Sequence, residues 1–199
     1  VTVDYQNKEL ILRTPKSYTY KKHHGEKLKI TIEGNKAFLD SVTIRINEQE
    51  KKLKLVIDTG AGHALLLDQF NDSPFPTPQR LLHTQLGWGL NGIVLGSLGR
   101  INSVRIGQFE LKEVIASFPD EAAFGNKFDD TINRQGSIGS ELLRRFKFIL
   151  NYDAGYIILK PQRSKFREQF EHDMSGMEIK ATGEGLKQFI ISNILPNSP

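Results

Sequence analysis

The segment Leu55-Val56-Ile57-Asp58-Thr59-Gly60-Ala61 constrains this chain more than any other. Its apolar, partly β-branched lead-in reads as a buried strand. The strand ends on an aspartate, and Gly60 lets the backbone turn sharply and brings amides close to the carboxylate. A carboxylate at the end of a buried strand is costly unless hydrogen bonds or chemistry use it. The segment therefore predicts a sheet that delivers Asp58 to one defined point.

The surrounding sequence is dominated by strand signals. Leu28-Lys29-Ile30-Thr31-Ile32 alternates and is followed by Gly34-Asn35 as a turn. Val42 to Ile46 alternates again, and the polar segment Asn47 to Lys52 returns the chain into Leu53 to Ile57. Val104 to Leu111 reads as a hairpin turning at Gly107-Gln108, and Phe148 to Leu159 as one turning at Asp153-Ala154-Gly155. Helical signal is confined to Ser140 to Phe146, with Ser140 as a candidate N-cap, and to a polar stretch from Ser164 to Asp173. The pattern predicts an all-β fold with one or two short helices.

Composition narrows the function. The chain has 199 residues, 38% hydrophobic and 25% charged, enough for one full domain plus pieces. No run reaches the roughly 18 apolar residues of a membrane helix, so no membrane span is expected. Without cysteine there is neither a disulfide nor a thiolate metal site. The net charge of +4 is spread among acids, with no basic stripe interleaved with aromatics, so nucleic acid is not an expected partner. His23-His24 would point to opposite faces of a strand, and Asp129-Asp130 lacks calcium-loop spacing, so neither predicts a metal. Gly87 to Gly99 lacks the Gly-Lys-Ser/Thr of a phosphate loop. No cofactor is expected.

Two segments repeat. Val1-Thr2-Val3-Asp4-Tyr5 through Leu10-Ile11-Leu12-Arg13 lines up with Phe148-Ile149-Leu150-Asn151-Tyr152 through Ile157-Ile158-Leu159-Lys160. Both read apolar strand, Asp/Asn-Tyr, turn, apolar strand, basic residue. The expectation is that the first residues are the tail of a preceding homologous lobe.

Hydrolysis of a peptide bond by carboxylates needs two of them sharing a proton. One takes a proton from water while the other, protonated, polarises the scissile carbonyl. Like charges about 3 Å apart cannot both ionise. A single Asp-Thr-Gly supplies half of such a site. Thr59 carries a hydroxyl suited to bonding across a two-fold interface, whereas Ala61 offers none beside the carboxylate.

Leu55 to Ala61, followed by Ala64-Leu65-Leu66-Leu67, resembles the active-site turn of the bacterial-type retropepsin-like aspartic peptidases. Gly136-Ser137-Ile138-Gly139-Ser140 through Phe146 resembles the family's apolar-Gly motif before a short helix. The resemblance implies a closed acid-protease barrel with Asp58 catalytic and Thr59, Gly60, Ala61, Ile138 and Gly139 supporting it. It further implies a glycine-rich flap at Trp88, Gly89, Leu90, Asn91 and Gly92, continuing through Gly96 to Gly99 and closing over a peptide or protein substrate. Gly62-His63 departs from the family pattern, which favours a small polar residue there, and His63 reads as a surface residue or one near the cleft mouth. The second aspartate is expected from an N-terminal repeat or from a homodimer mate. The alternative is a non-catalytic peptide-binding module that keeps the fold.

The tail, Gly183-Glu184-Gly185-Leu186 through Pro196-Asn197-Ser198-Pro199, resembles the opening of a PDZ domain, which captures peptide C-termini by strand addition. The expected organisation is residues 1–25 as the tail of a preceding homologous lobe or an N-terminal extension, 26–163 as the peptidase lobe, 164–182 as a linker and 183–199 as the truncated start of the PDZ domain. The expected location is periplasmic or exported, with no signal visible within these residues.

Overall fold

The structure is a computed structural model that describes residues 1–68, 76–89, 92–120, 135–173 and 175–195. Leu90, Asn91, Asp129, Asp130 and Pro196 to Pro199, all named above, lie outside the described residues.

Strands dominate, as the alternating sequence predicts, and the two α-helices among the described residues are one turn each. The larger sheet is built around β5 (Lys36–Ile46) and β6 (Gln49–Ile57), an antiparallel hairpin. Asn47 makes its turn with a left-handed φ of 54°, a conformation asparagine tolerates well. The turn is tighter than the polar run Asn47 to Lys52 suggests, because Gln49 to Lys52 already pair with Ile46 to Thr43. From β5 and β6 the sheet continues through β11 (Gly136–Ile138), β7 (Leu65–Leu67), β10 (Phe109–Pro119) and β9 (Gly92–Ile106) to β8 (Leu81–Gly89). β4 (Thr31–Glu33) flanks β5 on the other side. β5 also pairs with β9, so the hydrogen-bonded order β5-β6-β11-β7-β10-β9 returns to its starting strand.

The second sheet runs β2 (Glu9–Ile11), β1 (Thr2–Asp4), β12 (Phe146–Asn151), β13 (Tyr156–Pro161), β3 (Glu26–Lys29). The alternating run Leu28 to Ile32 is thus divided at Ile30 between two sheets. Leu55, Leu65, Ile138, Phe146, Phe148, Ile157 and Leu159 form one continuous core between the sheets. Burial of this apolar surface is the main driving force for the lobe.

The helix predicted over Ser140 to Phe146 is shorter. α1 spans Ser140–Leu143, its N-cap is Gly139 rather than Ser140, and Phe146 opens β12. α2 (Arg163–Phe166) falls at the start of the polar stretch predicted from Ser164 to Asp173. The rings of Phe109, Phe146 and Phe166 lie 5.3–6.0 Å apart between centroids and tie α2 to the strands.

Arg145 is 0% exposed. Its guanidinium donates to the carbonyls of Lys165, Glu168 and Gln169 and to the Glu141 carboxylate, and it stacks on the Phe170 ring. The chain after α2 is therefore wrapped around one buried cation. Arg145→Ala should destabilise the protein by about 3 kcal/mol, because it leaves several carbonyls unpaired and opens a cavity. Denaturant unfolding measures this, and a loss under ~1 kcal/mol would contradict it.

Candidate active site

The Asp58 loop is held from behind by the segment that the sequence paired with it. β6 lies parallel to β11, in the register Val56–Ser137 and Ile57–Ile138. The Asp58 amide then donates to the Ile138 carbonyl at 2.9 Å. One turn on, the Gly60 amide donates to Asp58 Oδ1 at 3.0 Å, so Gly60 binds the carboxylate it follows. The Ser140 amide and hydroxyl both donate to the Ala61 carbonyl, at 2.7 and 2.8 Å. The Gly139 amide donates to the Ala64 carbonyl at 3.1 Å. A Cβ on Gly139 would stand 2.1 Å from the His63 carbonyl oxygen and 2.9 Å from that of Ala61, which explains why a glycine sits there. Asp58 is half-buried, while Thr59 and Gly60 are exposed beside it. Ile138 and Gly139 are buried, as groups supporting the loop from behind should be.

Asp58, Ala61 and His63 share a cleft of about 980 Å³ with Gln85, Trp88 and Gly89 of β8. β8 and β9 form a long hairpin whose last described pair is Gly89–Gly92, with a bulge between Gln85 and Gly87. Trp88 is 67% exposed, and Gly92 is half-buried. The hairpin predicted as a flap and the Asp58 loop thus line one space. Among the described residues no cluster of three metal-ligating side chains is present, and no helix is long and apolar enough to cross a membrane.

Three features go beyond the sequence reading. Of the two places expected for His63, the surface and the cleft mouth, the structure gives the cleft. His63 is half-buried, its Nε2 lies 2.9 Å from Ser137 Oγ, and it lines the cleft. Second, Phe170, Glu171 and His172 also line the cleft, from a segment predicted as linker. The aromatic pair Phe166 and Phe170, four residues apart in a polar stretch, was the available signal. Third, the terminal hairpin of β14 (Met177–Thr182) and β15 (Gln188–Ile194) touches β8. Thr84 Oγ1 donates to Glu178 at 3.0 Å, and the Lys180 ammonium lies 5.2 Å from the Trp88 ring centroid.

Burial lowers the His63 pKa below its usual 6.5, and the Asp58 carboxylate partly opposes this. The folded chain therefore takes up this proton at lower pH than the unfolded chain. The His63 contribution to stability is intact above about pH 6.5 and is lost as pH falls below that value. His63→Gln should shrink the drop in melting temperature between about pH 7.5 and about pH 5. An identical drop in both proteins would show that other groups set it.

A family model described as aspartyl protease matches residues 42–142, which span the Asp58 loop, the β8–β9 hairpin and the Ile138-Gly139 support. The chain belongs to the aspartyl protease family. It is similar to the crystal structure of a retropepsin-like aspartic protease from Rickettsia conorii, at 22% sequence identity over 67% of this chain and 89% of that one, with a TM-score of 0.44. No curated protein matches the sequence.

Proposed function

We propose that this chain is a retropepsin-like lobe of an aspartic endopeptidase and that Asp58 is one half of its catalytic pair. The observation that carries the reading is the placement of Asp58. A half-buried carboxylate, braced by the Gly60 amide and by Ile138, stands in the cleft lined by the β8–β9 hairpin. With a second carboxylate opposite, one acid would activate water while the other polarises the peptide carbonyl. Thr59 and Gly60 are uncovered next to Asp58, leaving room for the loop that supplies it. The hairpin would close over an extended peptide, with Trp88 as an aromatic contact.

The β14–β15 hairpin supports a PDZ-type module as the next unit. Gly185-Leu186 forms the turn ahead of β15, and every residue of β15 is exposed, including Phe189, Ile190 and Ile191. A two-stranded hairpin this bare is not stable alone and needs further strands.

The test is digestion of a peptide library by the protein carrying both lobes, read by mass spectrometry. Cleavage should persist in chelator and with serine-directed reagents. Cleavage abolished by chelation would assign the chemistry to a metal and remove the paired-acid reading.

A further inference from the structure

Residues 1–13 and 148–160 are related by more than sequence. Within the first hairpin the pairs are Thr2–Ile11, Val3–Leu10 and Asp4–Glu9. Within the second they are Ile149–Ile158, Leu150–Ile157 and Asn151–Tyr156, the same register at every repeat-equivalent position. The turns agree as well. Lys8 has φ 56° where Gly155 has φ 62°. Asn7 N donates to Asp4 Oδ1 at 3.1 Å where Ala154 N donates to Asn151 Oδ1 at 3.0 Å. The two hairpins lie side by side through β1 and β12, antiparallel, with Thr2 opposite Ile149. Those two residues are each other's repeat equivalents, so a local two-fold axis passes through that pair. In the neighbouring pair Val1 and Leu150 exchange hydrogen bonds, each amide or amine to the other's carbonyl at 2.8 Å.

The two halves differ in what covers them. Ile157 and Leu159 are 0% and 1% exposed, beneath the lobe's core. Their equivalents Leu10 and Leu12 are 65% and 73% exposed. β13 has β3 on its outer edge, paired from Tyr156–Lys29 to Leu159–Glu26. The equivalent outer edge of β2 has no neighbour among the described residues. Half of a two-fold arrangement is dressed and the other half is bare.

We propose that residues 1–13 are the closing hairpin of a second lobe of this same fold, joined in the same polypeptide, which sits on Leu10, Leu12 and the outer edge of β2. Its own counterpart of β3 pairs with residues 9–12. A second copy of this chain cannot take that place, because the edge of β12 that the copy's own β12–β13 hairpin would need is already filled by β1. The aspartate that meets Asp58 therefore comes in cis. This last step rests on the peptidase reading, whereas the docking surface does not.

The test compares this 199-residue chain with the protein expressed from its native start, each with and without Leu10→Lys plus Leu12→Lys. In the 199-residue chain both positions face solvent, and the double variant should leave the melting temperature unchanged. In the native-length protein it should lower the melting temperature by roughly 5 °C or more and peptidase activity by about tenfold or more. By sedimentation the 199-residue chain should form no active dimer, and the native-length protein should be an active monomer. An active homodimer of the 199-residue chain, inactivated by Asp58→Asn, would overturn the proposal. So would a native-length protein in which the double variant changes nothing. A native-length protein that the double variant destabilises, yet which cleaves no peptide, would uphold the docked lobe and refute the peptidase reading.

Discussion

If Asp58 is one half of a catalytic pair, Asp58→Asn is expected to reduce peptide cleavage by at least about 10²–10⁴-fold, the usual contribution of a positioned acid or base. The amide is the same size, and its oxygen still accepts from Gly60 N–H, a bond now 3.0 Å long. Folding should therefore survive, with a melting temperature close to that of the parent. The pairing of these two results is what identifies chemistry. Lost activity with a large loss of stability would mean that Asp58 holds the loop rather than the substrate. Retained activity would take Asp58 out of the reaction.

The second large effect concerns the residue behind the loop. Gly139→Ala places a methyl group 2.1 Å from the His63 carbonyl oxygen, against backbone that two further bonds from Ser140 to Ala61 hold in place. A rigid backbone oxygen cannot swing aside as a side chain would. The expected cost is about 3 kcal/mol, at the upper end for overpacking. Activity should fall even where the variant remains folded, since the displaced segment carries Asp58. Melting temperature and kcat measured together check this, and a variant with both intact would show that the loop and its support are not coupled.

Much of this was legible in the sequence because it was written in local signals. The run Leu55 to Ile57 and the turn at Gly60 sufficed to place Asp58 at a strand end. The repeat of residues 1–13 at 148–160 was visible as aligned letters, although only the ladders reveal that Thr2 faces its own equivalent. What the sequence concealed depends on residues far apart. Arg145 reads as a surface cation, since arginine is almost never fully buried without partners, and those partners are carbonyls about 20 residues later. His63 reads as a surface or cleft-mouth side chain because nothing local reveals that Ser137 receives its ring. The division of Leu28 to Ile32 between two sheets is invisible to periodicity, which reports alternation but not which neighbour a strand finds.

Trp88 is the sole tryptophan of the chain, and it stands on the β8–β9 hairpin beside the Lys180 ammonium. The protein's indole emission is consequently a one-site optical signal from the hairpin over the cleft. A charged group near an indole shifts and quenches its light, so the colour and lifetime of that emission report whether Lys180 stays beside Trp88. Because Trp88 also lines the cleft of Asp58, a compound that occupied the cleft would register in the same signal without any label.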